Sequence, residues 1–159
     1  MGVIYAFVDT CVLSDILRQY DPKNPHELLS GGQNLKKGML KVVNDIIGDE
    51  EENGYIIAST FAFVELINKL DKCFSGSVSI ERLLSIMEQP PSWLIIEDIR
   101  KETALNFCDV PIAVDGENVS SDDAIHVATA LQRGDDIIFL TTDHILSKMN
   151  LPKITFINN

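Results

Sequence analysis

Four carboxylates carry the chemistry open to this chain: Asp9, Glu65, Asp123 and Asp143. Asp9 ends the apolar run 3–8, and Asp143 follows the apolar run 137–140 after Thr141 and Thr142. Continuous apolar runs of this kind read as strands covered on both faces. An acid just past such a strand stands at the carboxyl end of a sheet, where open α/β sheets bind their ligands. Glu65 lies among Phe61, Phe63, Val64, Leu66 and Ile67, with charge scarce until Lys69. A carboxylate in such surroundings needs a charged partner or a metal, because burying it unpaired is costly. Hard oxygen donors with no nearby base suit Mg²⁺ or Mn²⁺.

Each acid also has a plainer reading. Asp9 and Asp143 can cap the helices that follow them. Ser120-Ser121-Asp122-Asp123 has the form of a capping box, with Ser120 as cap. Glu65 can share a solvated face with Phe61, Asn68 and Lys72. His126 and His144 follow two of the acids closely enough to approach a substrate, yet a packed or solvent-facing histidine explains them as well. Cys11 reads as a small buried residue, since no base is placed to activate its thiol.

The elements that must position these groups alternate along the chain. Strands are expected at 3–8, 55–58, 93–96, 137–140 and 154–157. Helical spacing of apolar residues marks a short helix around 12–17, then 35–47, 60–74, 79–88, 99–107, 123–133 and 144–149. Residues 20–34 and 108–119, with their prolines and glycines, read as loops. Strands separated by helices throughout imply right-handed crossovers, hence a mainly parallel five-stranded sheet with helices on both faces, a three-layer α/β/α sandwich.

A chain of 159 residues with 45% hydrophobic content suits one domain, 1–159. The net charge of −11 gives no general attraction to nucleic acid, so a polyanion would have to be held by bound metal and local basic patches. Cys11, Cys73 and Cys108 are odd in number and contain no Cys-x-x-Cys pair, which argues against a disulfide framework or zinc site and fits a reducing cytoplasm. The N-terminus lacks a positive n-region, and the longest uncharged stretch, 54–64, falls short of the roughly 20 residues of a membrane helix. No membrane role is expected.

The order of the motifs adds what single residues cannot. Asp9-Thr10 follows a strand; Ser59 to Glu65 open the helix after the second strand; then come Asp123-Ala124-Ile125-His126-Val127-Ala128-Thr129-Ala130-Leu131 and Leu140-Thr141-Thr142-Asp143. This ordered set resembles the PIN-domain nucleases, many of which are VapC-type toxins that cut RNA. The resemblance implies a metal-dependent endoribonuclease whose one or two Mg²⁺ or Mn²⁺ ions lie among Asp9, Glu65, Asp123 and Asp143. Thr10 and Thr141 or Thr142 would support the site, and the Asp-Ala step favours Asp123 over Asp122. A small antitoxin and a homodimer are implied as well. RNA would have to use Lys36, Lys37, Lys41, Lys69 and Lys72 as its positive contacts. Two other readings stay open: a catalytically silent PIN-fold binding module, in keeping with the missing basic stripe, and a metal-dependent phosphatase. A haloacid-dehalogenase-type phosphatase needs a second acid where Cys11 stands.

Overall fold

The computed structural model describes residues 2–159. The apolar runs form β1 (Ile4–Val8), β2 (Gly54–Ser59), β3 (Leu94–Glu97), β6 (Ile137–Leu140) and β7 (Ile154–Ile157). They join as one all-parallel sheet in the order β3-β2-β1-β6-β7. Between them lie α1 (Thr10–Gln19), α2 (Lys37–Ile47), α3 (Thr60–Asn68), α4 (Leu70–Phe74), α5 (Ile80–Glu88), α6 (Lys101–Phe107), α7 (Ser121–Leu131) and α8 (His144–Ser147).

Period-two alternation sends each strand's side chains to both faces, and both faces are covered. Ala6, Val8, Ile56 and Ala58 pack with Leu13, Ile16, Met39, Val43 and Phe63 of α1, α2 and α3. Phe7, Ile57 and Phe139 pack with Val127 and Ala128 of α7 and Leu146 of α8. Val8 and Leu140 stand in register on adjacent strands, so Asp9 and Thr141 emerge side by side. The chain leaves β1 toward β2 and β3, then returns to β1's other edge as β6. The carboxyl ends of β1 and β6 are therefore the point where the strand order reverses, and a crevice opens there.

Two expectations are corrected. The helix expected over 60–74 is broken at Lys69, whose backbone (φ −115°, ψ 31°) leaves the helical region before α4 resumes. The turn keeps Phe74 in the core while Lys69 and Lys72 face the crevice. The loop expected over 108–119 contains a small antiparallel hairpin, β4 (Ala113–Val114) with β5 (Glu117–Asn118). Asp115 and Gly116 both have positive φ at its tip, the form a two-residue hairpin turn requires.

Candidate functional site

The crevice holds a cleft of about 300 Å³ lined by Asp9, Thr10, Glu65, Lys69, Lys72, Asp122, Asp123, His126, Thr142 and Asp143, among others. All four acids singled out in the sequence meet there. Asp9 and Asp143 come from the ends of β1 and β6, Glu65 from the second turn of α3, and Asp123 from the first turn of α7.

Capping and the cleft are not alternatives for the two strand-end acids. Asp9 caps α1 by accepting from the Val12 amide through Oδ1 (2.9 Å), while Oδ2 accepts from the Thr141 hydroxyl (2.8 Å) and the Thr142 amide (3.0 Å). Asp143 caps α8 through the Ile145 amide (2.7 Å), and its own amide donates to the Thr141 hydroxyl (3.0 Å). Thr141 is fully buried and ties the two acids together.

The Asp123 and Asp143 carboxyl groups lie against each other, within hydrogen-bonding reach. Desolvation first, and then Asp143, pushes the Asp123 carboxyl up to about 7. Asp143 is held below its ordinary value: desolvation acts upward, but the bond from Asp123 and those from the Ile145 and Leu146 amides outweigh it. Two neighbouring carboxylates cannot both ionise cheaply, so the pair holds a proton well above the usual carboxylate range. Asp122 lines the same cleft but is exposed.

Glu65 has the partner its apolar surroundings demand. Its Oε1 accepts from the Thr10 hydroxyl (2.5 Å) and from His126 Nε2 (2.9 Å). Desolvation would raise its carboxyl, and these two bonds overcome that and lower it. Among the described residues nothing bonds Oε2.

Lys69 and Lys72 line the cleft, whereas Lys36, Lys37 and Lys41 do not, and Lys41 pairs with Asp45 on the surface (2.9 Å). His144 is exposed and lies 3.6 Å from Glu117. Cys11 is exposed at the cleft rim rather than buried, because the first turn of α1 starts at the carboxyl end of the central strand, where the crevice opens. Desolvation by the cleft walls and then Asp9 push its thiol up, which disfavours the nucleophilic thiolate. His126 is the residue sequence reasoning undervalued. It is buried beside Glu65, and its signal is that, with Thr129, it is one of two polar residues in the otherwise apolar stretch Ala124 to Ala130.

Among the described residues no three His, Cys, Asp or Glu side chains converge to ligate one ion. The donors therefore do not form a dry cage. They fit a hard cation that keeps several waters and takes one or two carboxylates, as Mg²⁺ does. The Asp123–Asp143 pair offers those carboxylates, and Asp9 and Glu65 can receive hydrogen bonds from the waters.

The parallel sheet, its strand order and the acids at the switch point define a PIN-like α/β fold. Solved structures share it over nearly the whole chain. A chain of VapBC2 from Rickettsia felis, bound to a DNA fragment from their promoter, aligns with a TM-score of 0.58 and 13% identity, covering 96% of this chain and 97% of that one. DNA-bound VapBC from Salmonella typhimurium aligns with a TM-score of 0.57 and 18% identity, covering 97% of each chain. FitAcB from Neisseria gonorrhoeae aligns at 0.51 and 14%, covering 96% of each. No protein-family model and no curated protein matches the chain. At these identities the likeness is one of fold. No helix among the described residues is long and apolar enough to cross a membrane.

Proposed function

We propose that the chain is a divalent-metal-dependent endoribonuclease, the toxin of a toxin-antitoxin pair. The observation that carries the reading is the Asp123–Asp143 pair: two carboxyl groups pressed together at the sheet's switch point, with no ion pair to either among the described residues, inside a cleft that also holds Asp9 and Glu65. Asp123 and Asp143 would hold a hydrated Mg²⁺ or Mn²⁺, with Asp9 and Glu65 beside them. When bound, such an ion activates water and neutralises charge on a scissile phosphate. Thr141, Thr142 and Thr10 orient the acids, and Lys69 and Lys72 at the wall attract the phosphate backbone in a chain whose net charge is −11. A second cleft of about 550 Å³ shares Cys11, Lys72 and Cys73 with the first and continues past Arg18, Gln33 and Asn34, which offers a polymer room beyond the site.

RNA as substrate follows the VapC-type resemblance of the ordered acids. The VapBC and FitAcB neighbours support a small antitoxin partner, and a homodimer follows from the same resemblance. The free cysteines accord with a reducing cytoplasm. One observation favours the silent binding module as a second reading, namely that no three ligands converge. Incubating a mixed RNA pool with Mg²⁺, Mn²⁺ or EDTA, beside Asp9→Asn, separates the two. Cleavage that needs metal and Asp9 supports the nuclease; RNA left intact by pure, folded protein with either metal refutes it.

A further inference from the structure

His126 is 2% exposed, on the second turn of α7. Its ring meets Phe7 edge-on and Phe61 at a tilt, with centroids 6.4 and 5.4 Å away. An aliphatic side chain would suit that place, as Val127 and Ala128 do beside it. A polar ring buried there must find hydrogen bonds. It finds them on three other elements: Ser59 at the end of β2 lies 3.4 Å from Nδ1, and Thr10 of α1 and Glu65 of α3 lie 3.1 and 2.9 Å from Nε2. An ionised carboxylate only accepts, so Nε2 carries the hydrogen and donates it to Glu65 Oε1. The Ser59 hydroxyl, already accepting from the Ala62 amide, faces Nδ1. With Oε1 held by both His126 and Thr10, the Glu65 carboxylate keeps one orientation, and Oε2 is left to the cleft.

We infer that His126 is a positioning residue: its Nε2–H fixes the Glu65 carboxylate so that Oε2 receives water from a hydrated divalent cation, and this sets the cleft's affinity for that cation. The inference rests on the metal-site reading above. Partners that orient acids around a metal typically change affinity 10- to 100-fold when removed. A residue that merely joins α7 to α3 would change stability and leave cation affinity independent of Glu65.

The test is Mn²⁺ binding to the full chain, read by the resonance of free Mn²⁺ and by calorimetry. The proteins are wild type, His126→Gln, His126→Met, Glu65→Gln and the double variant Glu65→Gln with His126→Met. Gln and Met are similar in length, and Gln alone keeps a donor; melting curves without metal confirm that each variant is folded. Expected are a Mn²⁺ affinity about 10-fold weaker in His126→Met, largely restored in His126→Gln, and no further loss when His126→Met is added to Glu65→Gln. Equal losses from Met and Gln, an equal loss in both Glu65 backgrounds, or no loss at all would overturn the positioning role while leaving the metal site standing. Wild type that binds no Mn²⁺ overturns the metal site itself and this inference with it. If His126→Met does not fold, His126→Leu, which also lacks a donor, takes its place in the same comparison with the same outcomes.

Discussion

Asp15 and Asp123 are both desolvated carboxyl groups, and the protein treats them in opposite ways. Asp15, on α1, is 1% exposed and fully answered: Arg18 donates at 2.7 Å, the Asn34 amide at 2.8 Å and the Leu35 amide at 2.9 Å. Burial acts to raise its carboxyl, but these bonds hold it below the ordinary value. The node closes the long segment 20–36 against α1, and Gly32 is needed there because a Cβ would come within 2.6 Å of the Asp15 carboxylate. Asp123 meets another carboxyl group instead of a base, and is pushed up to about 7. A satisfied buried acid stabilises the fold; a half-buried acid left facing its like stores an electrostatic cost that a cation can relieve. The contrast separates a structural acid from the one that the proposed function calls on.

The largest effect expected at the cleft is on cleavage. Asp9→Asn and Asp143→Asn each lower metal-dependent RNA hydrolysis by on the order of 100-fold or more, with circular dichroism unchanged, while Asp122→Asn keeps a good part of the activity. Loss of activity in Asp122→Asn with Asp123→Asn active would move the metal-facing acid one residue along α7.

On the structural side, Asp15→Ala is expected to cost about 3 kcal/mol in urea unfolding, because it strands the Asn34 and Leu35 amides, while the exposed Arg18 guanidinium keeps water and the Cys73 carbonyl. The Mn²⁺ affinity of the folded fraction stays unchanged. An Asp15→Ala protein as stable as wild type would erase the distinction drawn above.

Opposite pH dependences sharpen the comparison. The Asp15 carboxyl is depressed in the folded state, so its stabilisation is present above the unfolded value near 3.9 and is lost as pH falls through the folded value. Asp123 is raised, so the metal-free fold is favoured below about pH 4 by this group and loses that advantage as pH climbs toward about 7. Asp123→Asn is therefore expected to raise metal-free stability at pH 8 by on the order of 1 kcal/mol. Millimolar Mn²⁺ should raise the melting temperature of wild type at pH 8 and not that of Asp123→Asn. A Mn²⁺ shift of equal size in both would remove Asp123 from the cation site.

The smallest effect concerns the cleft wall. Reversing Lys69 and Lys72 to Glu lowers the slope of log RNA affinity against log salt by about 1.4, if each lysine meets one phosphate of a single strand. Reversing Lys36 and Lys37, which lie outside the cleft, leaves the slope unchanged. The opposite pattern would route RNA over α2.

Much of this molecule is legible in local sequence. Continuous apolar runs mark strands covered on both faces, and the helix-strand alternation marks the parallel sheet, because periodicity and burial are properties of the chain itself. An acid after β1 and another after β6 follow from the same reading. The Asp115-Gly116 turn of the β4–β5 hairpin is equally local, because Asp-Gly is a common two-residue hairpin turn. The break at Lys69 was not visible, since it depends on what Phe74 packs against.

Tertiary structure decided the rest. Asp9 caps a helix and also faces the cleft because its two oxygens meet donors 3 and 132 residues away, and only the first of these is local. Which lysines reach the acids depended on the turn between α3 and α4. Glu65 announced by its apolar neighbours that it needed a partner; that the partner is His126, 61 residues on, follows from α3 and α7 meeting at the mouth of the sheet. Sequence states the demand of a buried charge, because desolvation is local, but the group that meets it is chosen by packing, which is not.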